Sequence, residues 1–201
     1  PAVKKAVEAA LPLLSQYPDP YCRALVAAIS DYENIPKEQI LCGNGAAELI
    51  FSFCRCLRPK KALLPVPSFS EYASALAAAG CQAVYYPLAQ KDDFTLTEAF
   101  LPVLEEFDGE ALLLCNPNNP TGVLIAPELL KKVLDICKKD NIFLFLDECF
   151  LDLSDNGQSM KAYLKDYPNL FLLKAFTKSY GMAGIRLGYC LSGSSELITA
   201  L

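Results

Sequence analysis

The sequence predicts an α/β fold, a three-layer sandwich in which helices cover both faces of a mostly parallel β-sheet. Short apolar segments alternate along the chain with longer segments of helical periodicity, as they do in parallel sheets. The apolar segments are nearly continuous, so we expect both faces of each strand to be buried. At 201 residues and 53% hydrophobic composition, the chain has the size and the apolar content for one packed core.

The elements follow one another in a regular order. The apolar segments predict strands at 61–66, 81–86, 111–115, 142–147, 170–173 and 186–192. The periodic segments predict helices at 21–33, 46–56, 69–79, 127–140 and 195–201, and an amphipathic helix begins the chain. Segment 151–169 is polar and rich in turn formers, so it is predicted to be a surface excursion.

Charge and hydropathy exclude several classes of protein. The net charge of −5 argues against a general binder of nucleic acid or of anionic membranes, which needs a basic surface. No apolar segment has the length of a membrane-spanning helix. The first residues lack the small-residue cleavage site of a signal peptide, so the sequence favours a cytoplasmic location.

The chain has nine cysteines and no histidine. Most of the cysteines lie in apolar surroundings and no CxxC pair occurs, which is typical of buried thiols in a reducing compartment. Without histidine, Ser-His-Asp and Cys-His mechanisms and histidine-based metal sites are excluded. Acid–base chemistry is left to Lys, Tyr, Asp, Glu, Cys or a cofactor, and no metal site is predicted.

Four polar motifs lie at the ends of predicted strands or at a helix start. They are GNGAAE (43–48), CNPNNPTG (115–122), DECF (147–150) and AFTK (175–178). Ligands of open α/β sheets bind at the carboxyl ends of the strands, so these motifs can converge on one crevice.

Each motif taken alone has an ordinary explanation. GNGAAE can bind a phosphate through backbone N–H groups and the helix dipole, or Asn44 can simply cap the helix. Asp147, after an apolar run, is either buried and paired, at an active rim, or a helix cap or surface ion pair. Lys178 and Arg186, each considered alone, would be ordinary solvated side chains. Glu148 points away from Asp147 on a strand, which excludes a paired-carboxylate hydrolase site.

Taken together, the motifs favour one ligand, pyridoxal phosphate. A lysine can form a Schiff base with its aldehyde, and a carboxylate can hold the proton of its pyridine nitrogen. A helix start and an arginine can bind its phosphate. Lys178, Asp147 and Arg186 are the candidates for these three tasks.

The chain resembles the fold-type I pyridoxal-phosphate enzymes of the class I and II aminotransferase superfamily. YPDP (17–20), GNGAAELI (43–50), VPSFSEY (66–72), CNPNNPTG, DECF and AFTKSYGMAGIRLGY (175–189) occur in the family's order and spacing. The resemblance is greatest to the branch that holds histidinol-phosphate aminotransferases and threonine-phosphate decarboxylases, and it extends through essentially the whole chain.

The resemblance implies a role for individual residues. Lys178 would link covalently to the cofactor and move the proton at the substrate's α-carbon. Asp147 would bind the protonated pyridine nitrogen, and Asn119 would bind the ring O3′.

The resemblance also implies a phosphate site, an aromatic wall and a dimer. Arg186 and Thr177 would bind the cofactor phosphate, with the backbone amides of Gly45, Ala46 and Ala47. Tyr72 would stack on the cofactor ring, with Phe69 as the alternative for that role. Tyr17 would reach the phosphate of the neighbouring subunit of a homodimer.

Two residues depart from the pattern of many relatives. Ala175 stands where they carry a hydroxyl that binds the phosphate, which removes a hydrogen bond worth about 1 kcal/mol or somewhat more. Phe150 stands where aminotransferases carry a tyrosine that donates to O3′, and phenylalanine here is associated with threonine-phosphate decarboxylases.

The implied activity is decarboxylation of L-threonine O-3-phosphate to (R)-1-amino-2-propanol phosphate for cobalamin biosynthesis. The alternatives are a histidinol-phosphate or related aminotransferase, and a pyridoxal-phosphate-binding domain without catalysis. The implied division is an N-terminal helix and inter-subunit segment at 1–20 and a cofactor-binding large domain at 21–201. The family's C-terminal small domain would lie outside these residues, and neither nucleic acid nor a membrane is expected as a partner.

Overall fold

The computed structural model describes residues 2–201 and contains a seven-stranded sheet. The strands are β1 (Ile40–Gly43), β2 (Lys61–Val66), β3 (Gln82–Pro87), β4 (Ala111–Cys115), β5 (Phe143–Asp147), β6 (Leu170–Ala175) and β7 (Gly188–Ser192). Their order across the sheet is β1-β7-β6-β5-β4-β2-β3.

All strands except β7 run in the same direction. β2, β3, β4, β5 and β6 pair in parallel, whereas β7 is antiparallel to both of its neighbours, β6 and β1. The amino end of β7 therefore lies at the same edge of the sheet as the carboxyl ends of the other strands. This edge brings together the polar motifs that the sequence places at strand ends.

Residues 2–201 form eight α-helices. They are α1 (Ala2–Ala10), α2 (Arg23–Glu33), α3 (Gly45–Leu57), α4 (Ser70–Ala78), α5 (Phe100–Glu105), α6 (Pro127–Lys139), α7 (Phe176–Ser179) and α8 (Ser195–Ala200). Among residues 2–201, none of them has the length and apolar character that crossing a membrane requires.

The core has two halves, one on each face of the sheet. On the first face, α3, α4 and α8 bury residues such as Phe53, Leu76 and Ile198 against the sheet. On the second face, α2, α5 and α6 bury residues such as Phe100 and Leu134. Every residue of β4 is buried, as expected for a strand that is covered on both faces.

The α/β three-layer prediction is confirmed, and so are all six predicted strands, within one or two residues at each end. Three short elements, β1, α5 and α7, were not predicted, because four to six residues give too little periodicity to detect. The prediction for 151–169 is wrong in part. The segment forms two 3₁₀ turns. Leu151 from it is buried, and Met160 and Leu164 are buried in the second core half.

A buried network of charged groups lies on the second face, behind the carboxyl ends of β5 and β6. The Lys174 ammonium lies 3.8 Å from Glu33, 3.7 Å from Glu148 and 3.7 Å from Asp152. Glu33 also accepts a hydrogen bond from Tyr189 and pairs with Lys161 at 2.7 Å.

The network keeps Lys174 charged although its side chain is only 7% exposed. Burial lowers the pKa of Lys174, but the carboxylates of Glu148, Glu33 and Asp152 outweigh that effect and raise it overall. Burial raises the pKa of Glu148, and Lys174 opposes that increase. The charge of Lys174 on β6 is therefore compensated by Glu33 at the end of α2 and by Glu148 after β5, and these ion pairs link the three segments.

We expect Lys174→Met to destabilise the protein by about 3–5 kcal/mol, because it leaves Glu33 and Glu148 buried with less compensating charge. Urea unfolding at neutral pH measures this loss. The loss should shrink as the pH falls, since protonation of the carboxylates removes the uncompensated charge.

Lys132→Met is the matched control for this prediction. Lys132 pairs with Glu98 at the surface, where the two side chains are 51% and 69% exposed. Its loss should change stability by less than about 1 kcal/mol. Equal effects of the two substitutions would show that the buried network contributes no more than a surface pair.

Candidate active site

A cavity of about 230 Å³ opens at the carboxyl edge of the sheet, on the face that α3 and α4 cover. The ends of β4, β5 and β6 and the start of α3 form its walls. Seven of the predicted site residues line it: Ala46, Ala47, Asn119, Asp147, Thr177, Lys178 and Arg186. Segments that are far apart in the sequence thus meet in one crevice.

The first turn of α3 forms one wall of the cavity. Asn44 stands at the N-cap position, but its side chain makes no capping hydrogen bond, so the backbone N–H groups of the first turn are not capped from that side. These groups and the helix dipole favour an anion at this point. The structure therefore gives no support to the ordinary explanation, in which the Asn44 side chain caps the helix.

Arg186 lies directly over this helix start. A Cβ atom added to Gly45 would lie 2.7 Å from the Arg186 Nη2 atom, so only glycine allows the guanidinium to approach this closely. Gly45 also has a φ of +81°, a backbone conformation that residues other than glycine adopt only with strain. Within residues 2–201, Arg186 has no carboxylate within ion-pair distance, which leaves its charge available to an anion in the cavity.

Gly188, at the start of β7, allows the strand to pack against the same helix start. A Cβ atom there would lie 2.9 Å from the Ala46 backbone nitrogen and 3.0 Å from the Gly45 carbonyl carbon. These are backbone atoms, which cannot move aside as the end of a side chain can. The close packing of β7 and α3 brings the anion-binding helix start next to the end of β6.

Asp147 ends β5 with a buried carboxylate, which is 5% exposed. Its Oδ1 atom accepts the Cys149 N–H at 2.8 Å, and its Oδ2 atom accepts the Tyr72 hydroxyl at 2.6 Å. Burial raises the pKa of Asp147, and these hydrogen bonds oppose the increase. A cationic group in the cavity would favour the charged carboxylate further.

The prediction that Tyr72 stacks on a ring in the cavity is wrong. Tyr72 is fully buried on α4, and its hydroxyl is directed at Asp147. Phe69, three residues earlier, lines the cavity instead. The sequence motif identified the correct segment. It could not show whether the tyrosine or the phenylalanine, about one helical turn apart, lines the cavity, because only the structure shows which side chain faces the core.

The loop between β4 and α6 presents Asn119 to the cavity. Asn116 and Asn118 hold the loop in shape: the first accepts the Ile125 N–H at 2.8 Å, and the second donates to the Pro67 carbonyl oxygen at 3.0 Å. No hydrogen bond of the Asn119 side chain occurs within the described part of the chain. Of the three asparagines, Asn119 is thus the one left to bind a ligand.

Lys178 extends from the short helix α7 into the cavity and is exposed. Its ammonium lies 5.6 Å from the centre of the Phe150 ring, and it forms no ion pair among residues 2–201. Phe150 and Ala175, the two departures from the family pattern, both line the cavity. Neither side chain can donate a hydrogen bond, so the wall around Lys178 has fewer donors than a site with the tyrosine and the hydroxyl of many relatives.

Two cysteines in the cavity wall, Cys115 and Cys149, were not predicted as site residues. Both are buried, Cys115 at the end of β4 and Cys149 two residues after β5, and burial raises the pKa of the Cys115 thiol to about 12. A thiol that stays protonated is a weak nucleophile, so these residues act as apolar wall. Their positions next to Asn116 and Asp147 were the only signal in the sequence.

Tyr17 does not reach the cavity of its own chain and is fully exposed to solvent. The remaining groups define a ligand by its parts: an anion beside Arg186 and α3, and a flat ring beside Phe69. Asp147 can accept a hydrogen bond from a protonated ring atom, and Lys178 can react with an electrophilic carbon. Pyridoxal phosphate has all four features, so the residues present fit the cofactor that the sequence predicts.

Comparison with known proteins gives one family for the whole chain. The family described as Aminotransferase class I and II matches residues 1–201. A threonine-phosphate decarboxylase of Salmonella typhimurium is 39% identical over 200 residues, which are 100% of this chain and 55% of that protein. A histidinol-phosphate aminotransferase of Ruminiclostridium cellulolyticum is 35% identical over 191 residues, which are 94% of this chain and 52% of that protein.

Solved structures share the fold. The histidinol-phosphate aminotransferase from Sinorhizobium meliloti, solved in complex with pyridoxal-5′-phosphate, superimposes with a TM-score of 0.90 at 24% identity. The superposition covers 100% of this chain and 55% of that one. The chain spans about half the length of the curated relatives it matches.

We expect Gly45→Ala to weaken the binding of inorganic phosphate about tenfold or more. The added methyl group would displace the Arg186 guanidinium and remove a charge-assisted contact to the anion. The stabilisation of the protein by phosphate against thermal unfolding measures this binding.

Gly80→Ala controls for backbone strain. Gly80 has a φ of +73° and no atom within 4 Å of its added Cβ, so this substitution introduces the strain alone. Both variants should lose about 1–2 kcal/mol of stability. A similar loss of phosphate binding in both would contradict the role of the Gly45–Arg186 contact.

Proposed function

The chain belongs to the aminotransferase class I and II family, and from this premise we propose that it binds pyridoxal phosphate and decarboxylates L-threonine O-3-phosphate. The observation that carries the proposal is the meeting of Lys178, Asp147, Asn119 and Arg186 around one cavity. The product would be (R)-1-amino-2-propanol phosphate, for use in cobalamin biosynthesis.

The site residues divide the cofactor between them. Arg186, Thr177 and the first-turn amides of α3, from Gly45 to Ala47, would hold the phosphate. Asp147 would bind the pyridine nitrogen and Asn119 the ring oxygen O3′. Because Phe69 lines the cavity, it is the residue that would cover the face of the ring.

When bound, pyridoxal phosphate supplies a conjugated ring that accepts the electron pair released at the substrate's α-carbon. The task of Asp147 is to keep a proton on the ring nitrogen, for which its carboxylate must be charged. The task of Lys178 is to anchor the cofactor and to deliver or remove a proton at the α-carbon. Asp147 is 5% exposed, and the apolar side chains of Phe69 and Phe150 line the same cavity, so water would have little access to the ring atom that Asp147 faces.

Decarboxylation would break the bond from the α-carbon to the carboxylate, whereas transamination would break the bond from the α-carbon to hydrogen. The orientation of the substrate decides which bond breaks. A clamp on the substrate phosphate can select that bond by positioning alone. Two observations favour decarboxylation: a threonine-phosphate decarboxylase is 39% identical, and Phe150 occupies the position that the family resemblance associates with that enzyme. Histidinol-phosphate aminotransferases at 35% identity make transamination the second candidate.

A homodimer is the assembly that we propose for the site. Residues 2–21 carry large exposed side chains, among them Leu14 at 81% and Tyr17 at 102% of full exposure. No residue of α1 is buried. A second copy would cover this surface and receive Tyr17 at its cofactor phosphate. Sedimentation velocity tests the assembly, and a monomer at micromolar concentration would contradict it.

We expect sodium borohydride to fix the cofactor covalently to Lys178, so that peptide mass spectrometry finds the reduced adduct at this residue. Lys178→Ala should abolish the adduct, because the remaining cavity residues have no primary amine. Lys139→Ala, which removes an exposed lysine at the end of α6, should leave it unchanged. An adduct that persists in Lys178→Ala would overturn the central assignment.

The two candidate reactions have different products. With L-threonine O-3-phosphate, we expect the native protein that carries this chain to release CO₂ without needing an amino-group acceptor. With histidinol phosphate and 2-oxoglutarate, we expect glutamate at a rate at least about a hundredfold lower, a specificity difference of roughly 3 kcal/mol. Glutamate production without CO₂ release would instead establish the aminotransferase.

A further inference from the structure

Tyr72 occupies a position that the proposed function does not explain. Its side chain is fully buried between α4 and the sheet, and its hydroxyl donates to the Asp147 Oδ2 atom at 2.6 Å. The two residues are 75 positions apart in the sequence, and the contact joins α4 to the end of β5. A tyrosine that served only as core would not need a hydroxyl at this place.

The hydrogen bonds of Asp147 leave its cavity side free. A carboxylate has about four acceptor positions, and two of them are used by the Tyr72 hydroxyl and the Cys149 N–H. Both donors are fixed in place, because the hydroxyl belongs to a buried side chain on α4 and the N–H belongs to the backbone just after β5. Together they fix the plane of the carboxylate, while the free acceptor positions remain for a donor in the cavity.

We propose that Tyr72 is a positioning residue for the cofactor: its hydroxyl holds the Asp147 carboxylate in its charged form and in the orientation that meets the pyridine nitrogen. The inference rests on the proposed function, since it concerns the residue that would bind that nitrogen. It assigns to Tyr72 an action through Asp147 instead of a direct contact with the ring.

The charge state of Asp147 makes this support necessary. A carboxylate at 5% exposure loses most of its hydration, and burial accordingly raises the pKa of Asp147. The Cys149 thiol, the Tyr72 hydroxyl and the Cys149 N–H all oppose the increase. Of these, the thiol is intrinsically a weak donor. Tyr72 itself stays protonated, because burial and the neighbouring Asp147 charge raise its pKa.

Other polar groups face Asp147 from the surrounding elements. The Cys115 thiol at the end of β4 and the Cys149 thiol after β5 are neutral, because burial raises the pKa of both. Lys178 and Arg186 are the cationic side chains among the residues that line the same cavity. Of the side chains packed behind the carboxylate, Tyr72 is therefore the one that donates a strong hydrogen bond.

The ring of Tyr72 has a second contact that an experiment must keep intact. It meets the Phe69 ring edge to face, with centroids 5.7 Å apart and planes at 85°. Phe69 is the proposed wall for the cofactor ring. Tyr72→Phe retains this packing and removes only the hydroxyl, so it separates the hydrogen bond from the aromatic contact.

We expect Tyr72→Phe to bind pyridoxal phosphate about tenfold to a hundredfold more weakly than the wild-type chain, the usual effect of losing a hydrogen bond to a charged group. Titration of the apoprotein, followed by the visible absorbance of the bound cofactor, measures the affinity. Affinity should fall as the pH drops through the pKa of Asp147. In Tyr72→Phe, this fall should begin at a higher pH.

A double-mutant cycle with Asp147→Asn identifies the route of the effect. If Tyr72 acts through the charge of Asp147, the hydroxyl has nothing to support in the Asp147→Asn chain. Adding Tyr72→Phe there should change the affinity less than twofold. Tyr167→Phe is the matched control, since Tyr167 is a buried tyrosine that donates to the Asp135 carboxylate away from the cavity. It should leave cofactor affinity unchanged.

Three results would overturn the inference. One is an unchanged affinity and pH dependence in Tyr72→Phe. Another is an equal loss of affinity in the Asp147→Asn background, which would indicate a general packing effect. Failure of the wild-type chain itself to bind pyridoxal phosphate would overturn the proposed function along with the inference, and the other two results leave that function intact.

A measurement on the wild-type chain keeps the inference testable if Tyr72→Phe does not fold. In apoprotein labelled with ¹³C at tyrosine Cζ, one of the ten tyrosine resonances should shift with pH as Asp147 titrates. The shift should be absent from Asp147→Asn. Ten resonances that all lack it would show that the Tyr72 hydroxyl does not respond to the charge of Asp147.

Discussion

The close packing of β7 against the start of α3 is the constraint on which the site depends. β7 is the one strand that runs against the others, and it separates β1 from β6. Its first residue, Gly188, pairs with both Gly43 and Ala175, so the chain segments leading to α3 and to Lys178 are held one strand apart on either side. Because no side chain intervenes at Gly188, the anion-binding amides and the reactive amine share one crevice.

Buried charge is handled differently on the two faces of the sheet. On the second face, Lys174 lies near the carboxylates of Glu33 and Glu148, so the buried charges are paired within the protein. These pairs link β5 and β6 to α2. On the cavity face, the Asp147 carboxylate has only neutral donors behind it and two cations that line the same space. Removing one member of the paired network would leave a buried charge uncompensated, whereas the free acceptor positions of Asp147 can bind a ligand.

Much of the fold and the site could be predicted from the sequence, for physical reasons. Continuous apolar strands and turn-rich strand ends are local signals, so the sheet and the convergence of Asn119, Asp147 and Lys178 followed from them. The orientation of Tyr72 and Phe69 did not follow, since both lie in one short amphipathic segment and only tertiary packing decides which faces inward. The burial of Lys174 could not be predicted either, because the Glu33 carboxylate that compensates its charge lies 141 positions earlier in the sequence (174 minus 33).

The neighbouring acids at the end of β5 restrict how this strand can change in evolution. Asp147 faces the cavity and Glu148 faces the charged network, because successive side chains of an extended chain point to opposite sides. An insertion or deletion of one residue within β5 would exchange the two carboxylates between the faces. Such a change would remove the acid from the cavity and unbalance the network at once. A change of two residues would restore the faces but move both carboxylates about 6.6 Å along the strand, so we expect length variation in the flanking loops and not within β5.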